Sequence, residues 1–129
     1  MSTDTQVAMG PVVTERAMAL TRSMVLAGVK NDATFVIDES TVVTMRRAYG
    51  VYTEEWTVSG LRHRDGDMPA VVCISEHATI RKWCVRGALH REHGPAHLKT
   101  YPDGREHGLW FRDGIPFAPA HAPTLLTAA

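Results

Sequence analysis

Side chains able to do chemistry crowd into the second half of this chain, where all seven histidines lie between His63 and His121. The run HREHGPAH sets His90, His93 and His97 at spacings of three and four, with Cys73, His77 and Cys84 upstream. Imidazole and thiolate are good zinc ligands, and four of them placed tetrahedrally would close a structural site. One reading is therefore a zinc-bound domain using Cys73, His77, Cys84 and either His90 or His93. The spacing lacks the paired C-x-x-C pattern of most such sites. A nucleophilic Cys73 or Cys84, with His77 as base, would need an orienting partner and a feature that lowers the thiol pKa. No strained elbow or helix terminus is visible beside either, so a non-enzyme without cofactor is expected.

Arginine comes next. Arg64 and Arg91 follow His63 and His90 directly, and each precedes an acid, Asp65 or Glu92, that a guanidinium fork could grip. Alternatively, Arg64, Arg91, Arg105 and Arg112 could meet phosphates or a protein partner. The tryptophans Trp56, Trp83 and Trp110 could stack bases or sugars. At regular spacing, large aromatics more often form a ladder inside a core.

Composition limits these options. The 129 residues hold 14 Lys plus Arg against 14 Asp plus Glu, and residues 46–129 hold 11 against 9. That excess is too small for a nucleic-acid footprint unless charge segregates by face. With 44% apolar and 22% charged residues, one globular domain is expected, large enough to fold without a staple. No basic start with an apolar run marks a signal peptide, and no stretch of about eighteen apolar residues marks a membrane span. Cys73 and Cys84 are accordingly read as reduced thiols of a cytoplasmic protein.

The strongest pattern is a repeat. Trp56, Trp83 and Trp110 are each 27 residues apart, and four residues after each stands Gly60, Gly87 or Gly114. Seven after come His63 and His90, each followed by arginine, whereas the third unit has Phe117. Pro69-Ala70, Pro95-Ala96 and Pro119-Ala120 close the units. The first unit carries one extra residue before its proline. A histidine fixed by repeat geometry is expected to be structural, donating to a carbonyl or carboxylate in its own link.

Alternation around each Trp predicts strands near 42–49, 51–58, 70–75, 78–85, 96–101 and 105–112. The pairs SG, RG and DG after each Trp strand read as hairpin corners, and PDG as a further turn. Ahead of these, Thr14 can cap a helix over 15–27 with Ala17, Leu20 and Met24 on one face and Gly28 as its stop. A strand follows at 33–38. The expected architecture is mainly β (α+β): an antiparallel meander of hairpin repeats with the helix packed on or capping the sheet. The parts are a flexible 1–13, a helix-and-strand cap at 14–41, repeats over 42–117 and a flexible tail at 118–129.

The run YPDGREHGLWFRDG resembles a MORN-type repeat, and the links HRDGDMPA and HREHGPA look like its longer HR…GPA variant, found in bacterial and phage proteins. The resemblance covers about residues 42–120 and implies an elongated antiparallel sheet that makes contacts rather than chemistry. It implies a protein partner, or a homodimer through the edge strand at 105–112 or 33–38. A small phage or mobile-element protein that inhibits a host defence complex is the kind of function this suggests. The third unit, without its His-Arg pair, reads as a terminal cap.

Overall fold

The computed structural model describes residues 4–6 and 11–118. Its elements are β1 (Asp4–Gln6), α1 (Pro11–Leu26), β2 (Asp32–Val36), β3 (Thr41–Ala48), β4 (Val51–Val58), β5 (Leu61–Arg62), β6 (Val71–Ile74) and β7 (Thr79–Lys82). There follow β8 (Cys84–Val85), β9 (Ala88–Leu89), β10 (His97–Thr100), β11 (Glu106–Leu109), β12 (Phe111–Arg112) and β13 (Ile115–Pro116). The main sheet runs β1-β2-β3-β4-β6-β7-β10-β11, with β5 also on β4; β8–β9 and β12–β13 are separate two-stranded ladders. Every pair is antiparallel except β1 with β2. The expected mainly β meander with one N-terminal helix on the sheet is the architecture observed.

Turn chemistry sets the register. Tyr49-Gly50, Ser59-Gly60, Arg86-Gly87 and Asp113-Gly114 each put both residues at positive φ, between 49° and 87°. That is the two-residue turn whose twist suits a hairpin, and glycine at its second position accepts the left-handed backbone without strain. The expected strands at 78–85 and 105–112 are each divided. The ladder breaks at Trp83 and Trp110, so each Trp links a main-sheet strand to a miniature hairpin. Such breaks re-aim the backbone.

The helix starts at Pro11, earlier than the expected cap at Thr14, because proline's fixed φ and missing donor suit a first helical position. Its end is as expected. Gly28 has φ +79°, and Val29 N–H and Gly28 N–H donate to the carbonyls of Met24 and Val25, closing the last turn. The buried face is not the expected one: Leu20 is exposed, while Met18 and Val25 enter the core. They meet Ala33, Phe35, Val43, Met45 and Tyr52 from β2, β3 and β4. α1 therefore covers only the first half of the sheet. The second expected edge at 33–38 is also corrected, since Asp4–Gln6 pairs with Ala33–Phe35 and removes that edge. No helix among the described residues is long and apolar enough to cross a membrane. The expected tail is largely residues 119–129, outside the described part.

Candidate functional site

The links between hairpins carry the repeated side chains, and the structure shows what these do. Each link leaves the miniature hairpin with a backbone bond, His63 N–H to Trp56 C=O and His90 N–H to Trp83 C=O. Each imidazole then bridges two units. His63 Nδ1 accepts from the Arg86 N–H at 3.2 Å, and His90 Nδ1 accepts from the Asp113 N–H at 3.0 Å. Both donors sit at the corner of the next miniature hairpin, 23 residues on. An accepting Nδ1 fixes the proton on Nε2, which donates to the carboxylate of Asp65 or Glu92. Both nitrogens of both rings are thus engaged.

The arginines clamp the same links. The Arg64 guanidinium lies 3.7 Å above the Trp56 ring and that of Arg91 3.8 Å above Trp83. Stacked guanidinium on indole is a favourable contact when shielded from water. Each arginine also donates to the carbonyl before the link's alanine, Arg64 to Pro69 and Arg91 to Pro95. The acid partners differ from those expected, because Asp65 and Glu92 are taken by histidine. Arg91 instead grips Asp67 bidentately, at 2.9 and 3.2 Å, across units. Asp67 stands at φ +54° in the longer first link, and its carbonyl accepts the Trp83 indole N–H at 3.0 Å. Arg91 holds the Asp67 carboxyl below the usual carboxylate range. Among the described residues Arg64 has no such carboxylate, and burial lowers its pKa. Gly94 completes the fit: a Cβ there would fall 2.8 Å from the Arg91 guanidinium.

A third anchor ties α1 to the repeats. Glu54 is a buried carboxylate that accepts from Arg22 (2.6 and 3.0 Å), the Tyr52 hydroxyl (2.6 Å) and the Trp56 indole (2.9 Å). Burial pushes the Glu54 carboxyl up, but the donated hydrogen bonds outweigh it and leave the pKa below its ordinary value. Burial first, then the bond to Glu54, raises Tyr52. Sequence reasoning missed this network and Asp67. Of the two acids between Tyr52 and Trp56, Glu54 alone shares their side of an alternating strand, and that parity is the one signal for the first.

The proposed zinc ligands are not brought together. Cys73 is mid-strand in β6, His77 is in the exposed β6–β7 turn beside Glu76, and Cys84 is buried in β8. His90 and His93 belong to the second link, at the other end of β7 from His77. The strands hold these positions apart, and among the described residues no group of three or more His, Cys, Asp or Glu could hold a metal ion. Both thiols are free, and burial raises that of Cys84, the wrong direction for a nucleophile. Of the remaining arginines, Arg105 pairs with Asp103 and covers Tyr101, and Arg112 lies over Phe117. Trp83 is buried, whereas Trp56 and Trp110 are half-buried. A cavity of about 350 Å³ opens between the two links, among Arg64, Asp67, Trp83, His90 and Arg91.

On the face of the sheet opposite α1, the side chains of β7, β10 and β11 are half-buried, and His107 Nε2 is buried without a hydrogen-bond partner among the described residues. Register puts Ile80, Lys82, His97, Lys99, His107 and Leu109 on that face, with Lys82 opposite His97 and Lys99 opposite His107. Burial, then the charges of Lys82, His107 and Lys99, lowers the pKa of His97. In the comparisons with known proteins, no family model, no curated protein and no solved structure matches this chain.

Proposed function

We propose that the chain is a non-catalytic protein-interaction module built on a MORN-like repeat array. The observation that carries this reading is how the repeated side chains are used. His63 and His90 have both ring nitrogens engaged, Arg64 and Arg91 lie against indoles, and together they join consecutive units. Residue types able to do chemistry are occupied in joining one unit to the next. What the sheet then offers is a surface, with one long face and the edge strand β11. An edge with free N–H and C=O groups recruits another strand readily, whether from a second copy or another protein. Inhibition of a host defence complex by a phage-borne copy rests on the sequence resemblance alone. The test is affinity capture of the full chain from its native lysate, with light scattering of the purified protein. A stoichiometric partner or a dimer is expected; a monomer that captures nothing stoichiometric overturns the reading.

A further inference from the structure

We propose that the Arg64 guanidinium is a seat for a carboxylate, filled by an aspartate or glutamate side chain of a partner protein. This rests on the interaction reading above and names the group the partner presents.

The same device occurs in both links and is filled in only one. Arg64 and Arg91 both lie over an indole, at 3.7 and 3.8 Å, and both donate from Nη1 to the carbonyl of the link's proline. Those two contacts fix where the remaining edge of each guanidinium, Nε and Nη2, is aimed. At Arg91 that edge donates both of its bonds to Asp67, an acid of the preceding link. At Arg64 the edge has no partner among the described residues. Ser40 stands as far before Arg64 as Asp67 stands before Arg91, and its hydroxyl bonds Asp38. Among the described residues, His107 Nε2 is the side-chain nitrogen that is buried without a partner, so Arg64 Nε and Nη2 reach water. A stacked, half-buried fork is pre-organised. A carboxylate that meets it gains two charge-assisted bonds without first ordering a flexible side chain.

Local charge selects a monoanion. Besides burial, the groups that act on Arg64 are Glu54 and, from α1, Arg22 and Glu15. Arg22 is neutralised by Glu54, and Glu15 attracts Arg64 without forming an ion pair among the described residues. One cation is therefore left without a counter-charge. A single carboxylate matches it, whereas a phosphate dianion would bring two charges to a seat that already has acids beside it.

The probe is N-acetyl-aspartyl amide, whose carboxylate is on the side chain. It is titrated into the isotope-labelled full chain at constant ionic strength, with the arginine Nε–H signals followed by NMR. N-acetyl-asparaginyl amide and inorganic phosphate are the controls. The Arg64 Nε–H is expected to shift saturably with the aspartyl compound and to ignore the asparaginyl one. Arg91 should not respond, since Asp67 fills its edge. Asp67→Asn vacates that second seat, and Arg91 should then respond as Arg64 does. Arg64→Lys keeps a cation over the indole but loses the fork, so the accompanying shift of the Trp56 indole N–H should need at least about tenfold more ligand. No saturable shift at Arg64, an equal response to the asparaginyl compound, or tighter binding of phosphate each overturns the proposal. So does an Arg64 signal that moves with Glu15→Gln but not with the aspartyl compound, for α1 would then fill the seat itself. A native partner held equally by wild type and Arg64→Lys overturns this seat while leaving the interaction module standing.

Discussion

The two halves of the sheet are held by different physics. Under α1, the strands β2, β3 and β4 bury Phe35, Val43 and Met45 completely, a core of apolar area of the ordinary kind. Beyond β4, the buried apolar side chains are Ala70, Val71, Ala78, Trp83, Cys84 and Ala96, of which Trp83 alone is large. There the hairpins are joined by imidazoles, stacked guanidinium groups and carbonyls arranged once per 27 residues. Apolar burial tolerates small shifts, whereas a ring accepting at one nitrogen and donating at the other tolerates very few. The first half therefore supplies stability, and the second supplies a reproducible spacing between units.

Removing the central indole breaks that division most severely. Trp83→Ala should destabilise the chain by about 3–5 kcal/mol, as much as Phe35→Ala in the helix-covered core. Trp110, half-buried at the last unit and contacted edge-on by Phe117, should lose roughly half as much. Urea denaturation of the three variants decides this. Equal losses for Trp83 and Trp110 would show that the array does not loosen toward its last unit.

Glu54 is where the halves meet, and its loss ranks next. Glu54→Gln keeps the shape but leaves Arg22 without its counter-charge and should cost about 2–3 kcal/mol. The pH dependence has a definite sign. Since the folded carboxyl titrates below its unfolded value, its stabilisation is complete above the ordinary carboxyl range and fades as pH falls through the depressed folded value. Wild type should thus lose stability from about pH 4.5 downward more steeply than Glu54→Gln. Parallel urea midpoints over that range would mean that Glu54 carries little of the acid sensitivity. His97 acts in the same direction at higher pH. Its lowered pKa means the unfolded chain takes up protons first, so stability declines as pH drops below about 6.5.

Much of this second half was legible in the sequence because its signals are local. A glycine after a tight-turn residue accepts a left-handed backbone without strain, and Gly60, Gly87 and Gly114, expected at hairpin corners, all have positive φ. The histidine rings, expected to donate to a carbonyl or a carboxylate of their own link, meet the carboxylates of Asp65 and Glu92. What the sequence concealed was pairing across distance. Asp65 and Glu92 looked like arginine partners because they are adjacent in the chain, but a side chain one residue on points away from its neighbour's stacked guanidinium. The acid Arg91 uses is Asp67, 24 residues back. The Arg22–Glu54 pair spans 32 residues, and β1 reaches β2 from the far side of the helix. None of these has a local periodicity to announce it. Leu20 misled for a related reason: its spacing to Ala17 and Met24 is helical, but which face turns inward was decided by Phe35 and Met45 of the sheet.

The smallest effect separates the halves most cleanly. His90→Ala removes the acceptor for one backbone N–H and the donor to Glu92, and should cost about 1 kcal/mol. The change should be confined to the last unit. The Asp113 amide and the β12–β13 hairpin it anchors should exchange faster, while the amides of β2, β3 and β4 keep their protection. The natural third unit already contains the comparison, for Phe117 stands where His63 and His90 stand in the others and, among the described residues, no further hairpin corner follows that would need an acceptor. His90→Phe should therefore match His90→Ala in the exchange of Asp113 while recovering packing against Trp83. If protection fell evenly across the sheet in either variant, the histidines would be supporting the whole fold rather than spacing one unit from the next.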